Sequence, residues 1–221
     1  MIKLENVFVK KGNKNILDGC NFNFEKGKSY ALVGESGAGK STLLNIIAGF
    51  EDVSQGSIYI EDKLLKKKVD FYRYTLGYLF QNFALLENQT ISQNLDLALK
   101  FKKNKKDNMN LKKEVLKKVG LDLDIKRIVS SLSGGEQQRV ALARLILKDP
   151  KIILADEPTG SLDTKNGKIV IDLLLKLLDE KIVIDLLLKL LDENKTMIVV
   201  THDLELAKRF DVIVNISELR S

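Results

Sequence analysis

The chain has 221 residues, 44% of them apolar, and a formal net charge of +6, enough for one substantial domain or for a core with a subdomain. A lone cysteine, Cys20, excludes an internal disulfide and fits a reducing compartment. No uninterrupted apolar run reaches the ~18 residues of a membrane span, and the N-terminus MIKLENVFVKK lacks the apolar region of a signal peptide, so the expectation is a cytoplasmic protein whose membrane role would come through a partner.

The first sixty or so residues alternate short β-rich runs (Lys3–Val9, Asn15–Asn23, Ser57–Ile60) with turns at Lys11–Asn13 and Lys26–Gly27, which predicts antiparallel strands. Between them the apolar run Ser29–Val33 leads into a glycine-rich loop and a helical pattern from Lys40. From Phe83 to Lys148 the signals are helical, broken near Asn104–Asn110 and Ser130–Ser133, and Pro150 ends the stretch. β-rich runs at Ile152–Ala155, Thr196–Val200 and Val212–Ile216 then alternate with helical patterns, as a mostly parallel α/β core requires. The expected organisation is a core of residues 1–82 and 151–221 with a helical subdomain at about 83–150.

Much of the basic excess falls in the lysine-rich run Lys100–Lys118. Such a run reads as a solvated helix face; it would also favour an anionic inner leaflet, where each basic residue near the surface contributes about 1 kcal/mol. No RNA-binding aromatic motif accompanies it, so no nucleic-acid partner is expected.

The segment KIVIDLLLKLLDE occurs at 168–180 and again, unchanged, at 181–193. Within one copy Lys168, Asp172, Lys176 and Glu180 form a charged stripe at i, i+4 steps on an otherwise apolar helix. Carried through one continuous helix, the second stripe would be rotated by roughly 220° from the first, so both could not face water. That helix would also be about 20 Å longer than one copy requires, and the two residues left before the next strand, Asn194 and Lys195, reach at most about 7 Å. The prediction is that one copy fills the helix site and the other is extruded.

Four motifs carry chemistry. GESGAGKS, from Gly34 to Ser41, fits the phosphate-loop pattern G-x-x-x-x-G-K-[ST] between a strand and a helix. Gly34, Gly37 and Gly39 permit a turn that points backbone N–H groups at phosphates, and the helix N-terminus adds its positive dipole end. In ILADEP, Asp156 and Glu157 follow an apolar strand, at the end where open α/β sheets bind ligands. LSGGEQQR stands at 132–139, and the only histidine, His202, lies in VVTHD.

In this order the motifs resemble the nucleotide-binding subunit of an ATP-binding cassette (ABC) transporter, over nearly the whole chain. The resemblance implies an α/β P-loop NTPase core with a mostly parallel sheet, an N-terminal antiparallel β subdomain and an inserted α-helical signature subdomain. It implies ATP and Mg²⁺ as cofactors, with Gly34, Glu35, Ser36, Gly37, Ala38, Gly39, Lys40, Ser41 and Thr42 at the phosphates. Mg²⁺ would fall to Ser41, Asp156 and Gln81 of YLFQNFALL. Glu157 would be the catalytic base, His202 the switch histidine at the γ-phosphate, and Gln81 would orient water and link core to subdomain. Ser133, Gly134 and Gly135 would contact nucleotide held by a second copy of the chain, in a head-to-tail dimer whose interface Ser161–Asp163 crosses.

The family's aromatic adenine platform, usually near the end of the first strand, is missing: Lys10 and Lys11 stand there, and the alternation of Phe8 with Val7 and Val9 makes it a sheet residue. The Asp163–His202 interval exceeds the family's usual spacing by about one copy of the repeat. GYLFQNFALLENQTISQNL and LSGGEQQRVALARLIL look most like ATPases of lipoprotein, macrolide and antimicrobial-peptide exporters. The implied partner is an integral membrane permease, holding the protein at the inner face of the cell membrane. Cassettes that drive a cell-division complex share these motifs, as do soluble ones of DNA repair or the ribosome, although neither coiled-coil arms nor a second phosphate loop occurs here.

Overall fold

Strands β3 (Ser29–Val33) and β8 (Thr196–Val200) are buried at every residue, the pattern of strands covered on both faces. They lie in a five-stranded sheet ordered β6 (Leu76–Leu79), β7 (Ile152–Asp156), β8, β3, β9 (Val212–Asn215), in which the β7–β8, β8–β3 and β3–β9 pairs are parallel. The computed structural model describes residues 1–12, 14–66, 69–102, 108–158 and 182–219. These divide into two units, Met1–Tyr78 with Lys151–Glu157 and Leu191–Ser221, and Leu79–Pro150 with Pro158–Leu190.

In the first unit α1 (Lys40–Ile47) packs on β7 and β8, and its Leu43, Leu44, Ile46 and Ile47 share one core with Leu32, Leu154, Ile198 and Val200. A second, antiparallel sheet runs β2 (Lys14–Phe24), β1 (Ile2–Lys11), β4 (Gln55–Ile60), β5 (Lys63–Leu64). Its inward residues Ile2, Leu4, Val7 and Val9 join the same core. Phe24 meets Tyr30 edge-on at 4.9 Å between ring centroids, an arrangement worth about 0.5–1.5 kcal/mol beyond burial.

The second unit holds α2 (Ile91–Leu99), α3 (Asn108–Lys118), α4 (Gly134–Lys148) and a helix over residues 182–188, α5. α4 packs on both α2 and α3. Helix begins later than the pattern from Phe83 predicts: residues 81–88 are largely turns, and α2 starts after Thr90, whose hydroxyl accepts from Gln93 N while the Gln93 side chain accepts from Thr90 N. That reciprocal cap fixes the start. Buried Asn94 bonds the backbone N and O of Leu86 and the carbonyl of Thr90, pinning the preceding turns.

Among the elements absent from the sequence reading are β5, β6 and the π-helical turn Phe71–Thr75 before β6. The last β run stops at Asn215, one residue short of the prediction, because its side-chain oxygen accepts from Ser217 N and Oγ and turns the chain into the 3₁₀ segment Ile216–Leu219.

The second copy of the repeat supplies α5, which buries Val183, Ile184 and Leu187 and leaves Ile182 and Lys189 exposed. A bond from Lys195 N to Asp192 O turns the chain into β8. The first copy, together with Ser161–Asp163, lies outside the described residues, as does the predicted extrusion.

Candidate active site

The phosphate-loop motif leaves β3 at Val33 and enters α1 at Lys40. Both flanking glycines are required by contact as well as by conformation. Gly34 has φ 145 and faces Ile216; Gly39 has φ 101 and faces Ile16, and a Cβ on either would collide with that isoleucine. The β1–β2 hairpin is thereby seated against the loop through Ile16.

Lys40 is buried, and its Nζ donates to the carbonyls of Gly34 at 2.7 Å and Glu35 at 2.9 Å. The ammonium is therefore held over the loop by its own backbone, at the positive end of α1. Ser41 Oγ donates to Asp156 Oδ1 at 3.0 Å, joining the start of α1 to the end of β7. Burial pushes the Asp156 carboxyl above the usual carboxylate range, with the Ser41 hydroxyl opposing and the neighbouring Glu157 adding to the rise.

Glu157 adopts φ 43, left-handed for a residue with a side chain, and its N–H donates to Val200 O at 3.1 Å. Strain of this kind costs about 1–3 kcal/mol and recurs at functional sites. It brings Glu157 Oε1 to 3.9 Å from His202 Nδ1, so the ends of adjacent parallel strands β7 and β8 present a carboxylate beside an imidazole. Asp203 then caps α6 (Leu204–Ala207), its side chain accepting from Glu205 N and Leu206 N.

The first unit thus brings together Gly34–Thr42, Asp156, Glu157 and His202. Gln81 and Ser133–Gly135 belong to the second unit. There Gln81 is exposed in the turn after β6, and Ser133 caps α4: its hydroxyl accepts from Glu136 N, and its N–H and hydroxyl donate to the Glu136 carboxylate at 2.7 and 2.9 Å. Those bonds hold the Glu136 carboxyl below its ordinary range. Arg144 of α4 donates to the carbonyls of Ala84 and Phe83, two residues in left-handed conformation.

Sequence reasoning missed a chain of polar contacts in the first unit. Tyr78 Oη donates to Asn45 Oδ1 at 3.1 Å, Asn45 Nδ2 donates to Glu51 Oε1 at 2.7 Å, and Lys11 Nζ pairs with Glu51 Oε2 at 2.9 Å. Burial, then the charges of Asp156 and Glu51, push the Tyr78 phenol well above its ordinary range. Lys11, at the adenine-platform position, is thus engaged with Glu51, while Phe8 is paired with Gln55 within the sheet.

The sequence profile of the ABC transporter family matches residues 17–160. The chain belongs to the ABC transporter family. It is an ATP-binding, ATPase-type cassette, and no helix among the described residues is long and apolar enough to cross a membrane. It is 36% identical to the lipoprotein-releasing system ATP-binding protein LolD of Francisella tularensis, over 90% of this chain and 84% of that one. It is likewise 36% identical to the macrolide export ATP-binding/permease protein MacB of Mannheimia succiniciproducens, over 92% of this chain and 31% of that one. Among solved structures, the cassette MJ0796 in a dimeric post-hydrolysis state with ADP and Pi superposes with a TM-score of 0.80 at 32% identity, covering 97% of this chain and 94% of that one.

The described residues contain no cluster of three or more acidic, histidine or cysteine ligands. Mg²⁺ does not need one: it is commonly held by one or two carboxylates plus substrate phosphates. The Ser41–Asp156 oxygen pair beside the phosphate loop fits that donor set.

Proposed function

We propose that this chain hydrolyses ATP as one half of a head-to-tail pair of cassettes, and that nucleotide-driven closing and opening of the pair works a separate membrane permease. The observation that carries the hydrolytic part is the Glu157–His202 pair at 3.9 Å, beside the phosphate loop. Lys40 and the backbone of Gly34–Thr42 bind the phosphates. Glu157 takes the proton of the attacking water, His202 contacts the γ-phosphate, and Gln81 orients the water. Ser41, Asp156 and Gln81 would hold Mg²⁺, which supplies charge neutralisation on the phosphates.

Ser133, Gly134 and Gly135 serve the partner copy's nucleotide. Their place at the N-terminus of the fifteen-residue α4 supports that role, since such an end favours anions. The core is assigned to residues 1–82 and 151–221, the helical subdomain to about 83–150, and the permease holds the protein at the inner face of the membrane. Similarity to LolD and MacB supports export of a lipoprotein, peptide or lipophilic compound, and MacB, named as both ATP-binding and permease protein, joins the two functions in one chain.

The test is steady-state ATP hydrolysis with Mg²⁺ across protein concentrations, with Lys40→Ala as background. The expected rate rises faster than linearly, because two chains build each site. Glu157→Gln should slow hydrolysis by about 10²–10⁴ while an ATP-dependent dimer accumulates in light scattering. Activity strictly proportional to protein, with monomers throughout, would overturn the paired mechanism.

A further inference from the structure

Helix α1 meets its surroundings with two kinds of contact. Leu43, Leu44, Ile46 and Ile47 are buried in the core, and apolar burial of this kind is non-directional, so it holds the helix down while tolerating small shifts along its axis. Ser41 and Asn45, one turn apart on a second face, make directional bonds instead. Ser41 Oγ donates to Asp156 Oδ1 at the end of β7, and Asn45 Oδ1 accepts from Tyr78 Oη on β6, the strand next to β7 in the sheet. One turn further, past the end of α1, Gly49 O accepts from Tyr72 Oη at 3.3 Å. A single polar seam thus pins the helix that carries Lys40 and Ser41.

Both halves of the Asn45–Tyr78 bond are themselves held. Asn45 Nδ2 donates to Glu51 Oε1, which turns the amide oxygen toward Tyr78. The Phe50 ring lies 5.5 Å from that of Tyr78 and stacks at 6.0 Å on that of Tyr72, centroid to centroid. Burial, then the neighbouring charges of Asp156 and Glu51, keep the Tyr78 phenol protonated, so it remains a donor throughout the neutral range. A half-buried phenol needs an acceptor, but any carbonyl would satisfy it. Tyr78 instead bonds a side chain on the same face of α1 as the Ser41 hydroxyl and one turn away from it.

We infer that Tyr78 and Asn45 are positioning residues for the Ser41–Asp156 oxygen pair: their bond fixes α1 against β6 and so sets the separation of the two oxygens that Mg²⁺ would use. Mg²⁺ demands near-ideal octahedral geometry, so a small slip of α1 costs metal affinity first. Phosphate contacts survive such a slip better, because Lys40 is held by the carbonyls of the loop itself. The role toward the metal rests on the reading of Ser41 and Asp156 as its holders; the positioning of one against the other does not.

The experiment titrates fluorescent ADP against the full chain, with Mg²⁺ and with EDTA. Tyr78→Phe and Asn45→Ala should each lower the ratio of the two affinities by about twofold to tenfold, the loss of one hydrogen bond, with little change in EDTA. Tyr30→Phe removes a hydroxyl that accepts from Glu25 N at 2.8 Å in the same unit, a structural loss of the same kind, and should leave the ratio unchanged. Equal losses with and without Mg²⁺, an unchanged ratio, or the same drop in Tyr30→Phe would overturn the inference. Urea denaturation of Ser41→Ala, Tyr78→Phe and the double variant, without metal or nucleotide, reads the positioning by itself. If Tyr78 holds Ser41 in place, the double should be more stable than additivity predicts by more than about twofold in the unfolding constant; additive losses overturn the inference whatever the metal does. Asp156→Asn separates the two readings: if it leaves the Mg²⁺ dependence of ADP binding intact, the metal assignment fails, and the urea cycle alone decides whether Tyr78 positions Ser41.

Discussion

Replacing Gly39 by alanine tests whether the hairpin and the phosphate loop are locked together through Ile16. Two costs combine. The backbone at φ 101 lies where side-chain-bearing residues are strained, at about 1–3 kcal/mol. The new Cβ also meets Ile16, which is only 5% exposed and hemmed in by the core, so overpacking adds about 1–3 kcal/mol. The sum, about 2–6 kcal/mol, is a large share of a typical domain's stability. Ile16→Ala alone should cost about 2–5 kcal/mol through its cavity, yet it removes the atom that the alanine strikes. In urea denaturation of both single variants and the double, the double should be more stable than additivity predicts by about 1–3 kcal/mol. Additive losses would refute the contact, and with it the claim that Ile16 seats the hairpin against the loop.

Lys11→Tyr should tighten nucleotide binding by about 1–3 kcal/mol, the worth of a base–aromatic stack, against at most about 1 kcal/mol lost with the exposed Lys11–Glu51 pair; titration with a fluorescent nucleotide reads it, and unchanged affinity means that the base does not reach the hairpin. Asp156→Asn should stabilise the nucleotide-free protein at neutral pH while weakening Mg²⁺-dependent hydrolysis. Because burial raises the folded-state pKa of Asp156, the wild-type penalty is absent below the ordinary carboxylate pKa and grows as pH rises through the folded value. The difference between variant and parent in denaturation should therefore vanish in acid and be full at neutral pH. Deleting residues 168–180 should move Tm by less than about 4 °C, the shift of ~1 kcal/mol in a chain of this size, because the second copy already buries Val183, Ile184 and Leu187. A collapse of the transition would mean that the first copy supplies core.

The parallel sheet was legible because β3 and β8 are short apolar runs, and such runs are strands when helical patterns of greater length separate them. The phosphate loop was legible because its chemistry constrains residue types at fixed spacing. β6 was not: Leu76–Leu79 follows the aromatic run Phe71–Tyr74 with no turn residue between them, and a π-helical turn has no sequence period of its own. The Tyr78–Asn45–Glu51–Lys11 chain was invisible for another reason. Its members come from three separated segments, and each alone is an ordinary polar residue. Glu157 was found by its neighbours in ILADEP, but nothing in those letters says that its backbone is left-handed. That is a consequence of tertiary placement, the bond to Val200 and the turn away from β7.

The site gathers, within one corner of the first unit, features that a purely stability-driven sequence would avoid. Lys40 is a buried ammonium satisfied by two loop carbonyls, Asp156 is a carboxyl raised by burial beside a second acid, and Glu157 is held in a strained conformation. Each is costly in the free protein, and the first two would be relieved by the same event. Phosphate oxygens would meet the Lys40 ammonium and loop amides, and a divalent cation would offset the charge of Asp156. Binding energy thus arrives where the unliganded fold is least comfortable, so nucleotide should stabilise the first unit by more than contact area alone suggests. A site assembled merely for packing would place an apolar side chain at 156, as the strand does at 152–155, and would have no reason to follow it with a left-handed glutamate.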